Sequence, residues 1–84
     1  MSYRVILPKS IQKKLDRLSD EVAERVLTRL QNLESNPRPP DVKKLKGRTA
    51  WRLRVGDYRL IYEIHDRETT VIIVTIGHRR EVYR

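Results

Sequence analysis

The sequence predicts an α+β fold in the order β-α-α-β-β-β: an antiparallel-rich sheet with an N-terminal helical hairpin packed on one face. Three observations carry this. Apolar residues recur at helical spacing between Ile11 and Leu33. From Ala50 onward the pattern changes to strand alternation about a Gly56-Asp57 turn. Three of the four prolines crowd the segment between these two regions and separate them.

Taken in order, Tyr3–Leu7 (YRVIL) is β-branched and aromatic and reads as a short strand. Pro8 ends it and is suited to open a helix. Ile11, Leu15 and Leu18 follow on one helical face, with Lys13, Lys14 and Arg17 turned outward. Ser19 is a good N-cap, and Asp20 and Glu21 put negative charge in the first turn of a second helix. That helix is expected over Asp20–Ser35, with Val22, Val26, Leu30 and Leu33 as its apolar stripe, widened by Ala23 and Leu27. Asn36-Pro37 stops it. The helices abut across Ser19, so they should form an αα-hairpin.

Residues Asn36–Gly47 (NPRPPDVKKLKG) read as an irregular connection with Lys43, Lys44 and Lys46 exposed. Strands are then expected at Ala50–Val55 and Tyr58–Ile64, joined by a two-residue type II′ turn that places Gly56 first. His65–Glu68 forms a second turn. Thr70–Ile76 (TVIIVTI) is nearly continuous apolar sequence, as in the buried middle of a sheet, and Gly77 is expected to end it before the tail HRREVYR. No internal repeat or linker interrupts the chain, and residues 1–84 read as one domain.

Composition limits the functions available. Lys plus Arg is 19 against 11 for Asp plus Glu, a net charge of +8 on 84 residues, which points to a polyanionic partner. Cysteine is absent, which excludes a thiol nucleophile, a thiolate metal site and a disulfide framework. Two histidines, His65 and His78, are too few for a zinc site, and neither a metal nor a cofactor is expected. There is no run of 18 apolar residues and no signal-type stretch after Met1, so a soluble cytoplasmic protein is expected. The basic residues are spread over helix and sheet rather than along one amphipathic helix, which argues against a membrane partner.

The hairpin concentrates the charge. A two-residue turn pairs Val55 with Tyr58, Arg54 with Arg59, Leu53 with Leu60, Arg52 with Ile61, and Trp51 with Tyr62. Alternation then sends Trp51, Leu53, Val55, Tyr58, Leu60 and Tyr62 toward the helices, and Arg52, Arg54, Arg59 and Ile61 to the open face. Arginines directly opposite each other are unfavourable unless solvated or neutralised. One reading is a solvated basic face. The other is an anion site, because the guanidinium fork matches phosphate geometry. The tail adds Arg79, Arg80 and Tyr83. His78 is either an exposed histidine after a strand or an acid–base group suited to neutral pH. His65 lies in a turn and is assigned no role.

The order of elements, KLKG at Lys44–Gly47, WRLRVGDYRLIYEI at Trp51–Ile64 and GHRREVY at Gly77–Tyr83 resemble the RelE/ParE toxin superfamily over essentially the whole chain. The tail resembles the RelE branch. That resemblance implies a ribosome-dependent mRNA endoribonuclease that cuts mRNA in the ribosomal A site and is neutralised by a cognate RelB-like antitoxin in a hetero-oligomer. Its catalytic positions fall on Arg52, Arg54, Arg59, Arg79 and Tyr83. Lys43, Lys44, Lys46 and Arg80 are the expected RNA contacts, and ribosomal RNA and mRNA the expected partners. The implied chemistry is metal-independent transesterification by the ribose 2′-OH. The basic pair before the turn is often lysine in the family but is Arg52 and Arg54 here. Arginine keeps its proton, so the general base is either His78 or a group on the ribosome or mRNA. Some relatives carry a further C-terminal helix that moves on antitoxin binding; with Arg84 directly after Tyr83, that device is not expected. Two alternatives stand beside this reading: a ParE-like toxin that inhibits DNA gyrase, and a non-catalytic nucleic-acid-binding module whose lysines and hairpin arginines contact phosphates only.

Overall fold

The computed structural model describes residues 2–47 and 49–78. The elements are β1 (Arg4–Ile6), α1 (Lys9–Asp16), α2 (Asp20–Ser35), β2 (Lys43–Lys44), β3 (Ala50–Val55), β4 (Tyr58–His65) and β5 (Thr70–His78). They form a five-stranded mixed sheet in the order β1-β5-β4-β3-β2, with β1 parallel to β5 and every other pairing antiparallel. The helices pack on one face, α1 against β5 and α2 against β1 and β3. This is the expected α+β architecture with one strand added.

The helices start and stop for local reasons. The Ser19 hydroxyl accepts the Val22 N–H at 3.3 Å, satisfying an otherwise unpaired amide of the first turn, and Asp20 and Glu21 lie near the positive end of the helix dipole. Ile11 and Leu15 of α1 and Val26, Leu30 and Leu33 of α2 enter the core with Leu53, Leu60, Tyr62, Val71 and Ile73. Leu27, expected to widen the α2 stripe, is instead 43% exposed: the stripe that meets the sheet is narrow, and Leu27 lies outside it.

The hairpin register is the one that the two-residue turn dictates, from Val55↔Tyr58 to Trp51↔Tyr62. Gly56 has φ +57, a left-handed value that disfavours side chains, and Asp57 does not, as a type II′ turn requires.

Three features depart from expectation. Lys43–Lys44 is not irregular chain but a two-residue edge strand, with Lys43 opposite Arg52 and Lys44 opposite Trp51. Its brevity and its lysines suit an edge that must not recruit further strands. β5 does not end at Gly77 but runs on to His78, with Gly77 opposite Arg59. It also carries a bulge: Ile61 pairs with Thr75 but Tyr62 pairs with Ile73, which leaves Val74 as the extra residue. The bulge reverses the alternation. Val71 and Ile73 are buried before it and Ile76 after it, while Val74 is 39% exposed.

Candidate functional site

The site begins with the arginine pair at the end of the hairpin. Arg54 and Arg59 are cross-strand partners, and with Arg52 of β3 they line a cavity of about 170 Å³ on the face away from the helices. Lys43 and Asp41 complete its wall. The same cavity therefore collects four cations and one carboxylate. Arg59 is only 5% exposed, and its Nη1 donates to the carbonyls of Gly56 and Tyr58, each at 3.2 Å. Those carbonyls partly replace the water lost on burial and turn the guanidinium back toward the hairpin end. Arg54 is exposed and Arg52 half-buried, so the cavity has a fixed cation at its base and more accessible ones at its rim.

Asp41 and Lys43 reach this cavity because the loop from Asn36 to Val42 is tied down at several points. The Tyr62 hydroxyl donates to the Pro37 carbonyl at 2.7 Å. Burial pushes the Tyr62 phenol up to about 12, with the Asp41 charge adding to the effect. The Arg38 guanidinium holds both carboxylate oxygens of Asp66, at 2.8 and 3.2 Å, and also lies 4.9 Å from the centre of the Trp51 ring. The Tyr3 hydroxyl donates to the same Asp66 carboxylate. Hydrogen bonds from Arg38 and Tyr3 hold the Asp66 carboxyl below its ordinary range. Asp41 itself is bound by Arg29 of α2 at 2.7 Å.

Of the residues singled out in the sequence, Arg52, Arg54, Arg59 and Lys43 meet in one cavity. Lys44 is turned to the other side of its strand, with Nζ 5.9 Å from the Trp51 ring centre. Lys46 is exposed in the turn after β2. His78 is not brought to the arginines. It stands opposite Tyr58, with ring centres 5.8 Å apart and nearly perpendicular, in a separate groove with Lys14 of α1 and with Arg17 and Leu18 just after it. The bulge at Val74 puts it there, by giving Ile76 and His78 the face that Val71 and Ile73 occupy earlier in the strand. Arg79, Arg80 and Tyr83 lie outside the described residues. Sequence reasoning missed Asp41. No local pattern marks an aspartate in a proline-rich loop as facing a cavity 11 or more residues away in β3.

The chain is thus a small basic α+β protein with a helical pair on one side of its sheet and a cationic cavity on the other, and comparison with known proteins supplies the family. Residues 5–83 match the family described as ParE toxin of type II toxin-antitoxin system, parDE. The putative toxin RelE1 of Methanocaldococcus jannaschii is 28% identical, over 100% of this chain and 98% of its own. Among solved structures, the archaeal RelE–RelB complex from Pyrococcus horikoshii is 33% identical with a TM-score of 0.86, covering 94% of this chain and 97% of its own. A mutant E. coli toxin RelE in the free state is 25% identical with a TM-score of 0.81, covering 99% and 92%. The chain belongs to the RelE/ParE toxin superfamily, as a RelE-type toxin of a type II toxin–antitoxin pair. None of its described helices is long and apolar enough to cross a membrane.

Proposed function

We propose that this toxin is a ribosome-dependent endoribonuclease that cuts mRNA in the A site, and that the Arg52–Arg54–Arg59 cavity holds the scissile phosphate. The observation that carries this is the meeting of three arginines and Lys43 around about 170 Å³, a phosphate-sized space with guanidinium forks on its wall. A gyrase inhibitor has no need of such a cavity. A binding module that only contacts phosphates has no need to bury one of the arginines, because exposed cations serve that purpose at less desolvation cost.

In the proposed reaction the ribose 2′-oxygen forms a bond to the adjacent phosphorus and the bond from phosphorus to the 5′-oxygen breaks. A 2′,3′-cyclic phosphate and a 5′-hydroxyl remain. Arg54, Arg59 and Arg79 stabilise the charge that builds on the phosphorane, where donors preset in a partly dehydrated site are most effective. Arg52 and Lys43, on the wall of the same cavity, help to hold that phosphate, and Tyr83 orients or stacks on the nucleotide. The 2′-OH proton leaves to a group on the ribosome or mRNA, and the 5′-oxygen takes up a proton from the same surroundings. His78, in its groove against α1, is left out of proton transfer. Lys44, Lys46 and Arg80 bind ribosomal RNA. A RelB-like antitoxin, of the kind found with the archaeal RelE relative, covers the toxin in a hetero-oligomer, and the site of action is cytoplasmic.

Primer extension on mRNA after induction tests the reading. Cuts within codons are expected from the wild type and from His78→Ala, whose cleavage rate should fall less than threefold. Arg59→Ala and Arg79→Ala should abolish cuts and growth arrest while remaining folded. An SOS response without cuts would instead mean gyrase inhibition; wild-type toxicity from folded Arg59→Ala would remove the cavity from the mechanism, and from folded Arg79→Ala would remove Arg79.

A further inference from the structure

Arg54 lines two cavities, not one. On its other side lies a groove of about 500 Å³ between α2 and the hairpin turn, bounded by Glu21, Glu24, Arg25 and Arg29 of the helix and by Val55 and Gly56. We propose that this groove is a second nucleotide subsite, taking the nucleotide next to the one whose phosphate sits among Arg52, Arg54 and Arg59. The inference rests on that reading of the smaller cavity and extends it along the RNA.

Continuity is the first argument. Besides the shared Arg54, Arg29 lines the groove while its Nη2 lies 2.7 Å from Oδ2 of Asp41, which lines the smaller cavity. The two spaces are therefore neighbours, sharing Arg54 and meeting again at the Arg29–Asp41 ion pair.

Size and chemistry are the second. The volume falls in the range of pockets that hold small ligands, roughly 300–1,000 Å³. Three arginines alone would suit any anion, but Glu21 and Glu24 would oppose one that carried only negative charge. A nucleotide uses both signs. Its phosphate takes guanidinium donors, and its 2′-OH or exocyclic amine donates to a carboxylate. Thr28 uses its hydroxyl on the Glu24 carbonyl of its own helix, at 3.0 Å, so recognition falls to the charged groups. The Arg25 guanidinium lies against Gly56, where an added Cβ would be 3.7 Å from Nη1. It is exposed and planar, a platform on which a base can stack.

The test is fluorescence anisotropy with uncleavable 2′-O-methyl RNA of two, three and four nucleotides, on wild type, Arg25→Gln, Arg25→Lys and Arg52→Gln, each checked for fold by circular dichroism. Arg25 is exposed, so its variants should fold. Wild-type affinity should rise as the oligonucleotide lengthens into the groove. Arg25→Gln should lose that increment, about tenfold, and flatten the salt slope by about 0.7, with the shortest RNA unaffected. Arg25→Lys should restore the slope, and Arg52→Gln should weaken every length. Arg25→Gln matching wild type at every length, while Arg52→Gln binds weakly, would overturn the subsite alone. Indifference to Arg52→Gln would overturn the phosphate reading and the subsite with it. Weakened antitoxin binding by Arg25→Gln with unchanged RNA affinity would overturn the subsite and make the groove a peptide site.

Discussion

Tyr62→Phe tests how the loop that carries Asp41 and leads into Lys43 of β2 is held. Tyr62 is fully buried, and its hydroxyl donates at 2.7 Å to the carbonyl of Pro37, a residue that is buried as well. Phenylalanine keeps the ring and removes only that donor. The hydrophobic contacts survive, and the cost is that of leaving a buried carbonyl without a partner, about 1–2 kcal/mol. For a chain of this length each kcal/mol moves the melting temperature by about 4–8 °C. A fall of roughly 5–15 °C is therefore expected in thermal melts followed by circular dichroism at pH 7, with an unchanged urea m-value. The phenol adds a second signature. Its folded pKa of about 12 lies above the value of 10.0 for a free tyrosine. The unfolded chain ionises first, so this contribution is complete below pH 10 and is lost as pH rises toward 12. Tyr62→Phe should lose that share of the alkaline decline. A variant that melted within about 2 °C of wild type and kept the whole alkaline slope would refute the claim that this hydrogen bond anchors the loop.

Other consequences are open to the same instruments. Because Arg38 and Tyr3 hold the Asp66 carboxyl below its ordinary range, stability from this cluster should be complete above about pH 4 and decline as pH falls below it; Asp66→Asn should flatten that acid limb, and an identical acid profile would remove Asp66 from it. Thr69 has φ +46, costly for a β-branched residue. Thr69→Asn should stabilise by roughly 0.5–1 kcal/mol in urea titrations, and a destabilised variant would mean that the Thr69 side chain is needed in its turn. The bulge makes neighbours unequal: Ile73→Ala should cost about 2–5 kcal/mol, whereas Val74→Thr should stay within about 0.5 kcal/mol. Equal costs would place the bulge elsewhere.

Much of this protein could be read without coordinates, where local rules apply. A two-residue turn opened by glycine and flanked by alternating apolar residues admits one register, and so puts Arg52, Arg54 and Arg59 on one side of the hairpin. Ser19, Asp20 and Glu21 mark the start of α2 because a capping hydroxyl and early acids answer the unpaired amides of any helix start. The resemblance carried the family, and the net charge of +8 the sign of its partner.

Tertiary structure decided what depends on distant pairing. Two lysines form a strand only because Arg52 and Trp51 lie alongside them, and a strand that short has no period to read. In TVIIVTI nearly every residue is apolar, so no alternation could show that Val74 is extra. That one residue sends His78 to the helix side of the sheet, away from Arg52, Arg54 and Arg59. Asp41 enters the cavity because Arg29, sixteen-residue helix and all, is packed where it can hold it. Sequence by itself determined the fold class and the arginine face of the hairpin, because period and turn chemistry act over a few residues. Which of the remaining polar groups share that face was left to the pairing of strands and the docking of a loop, contacts that no stretch of sequence encodes alone.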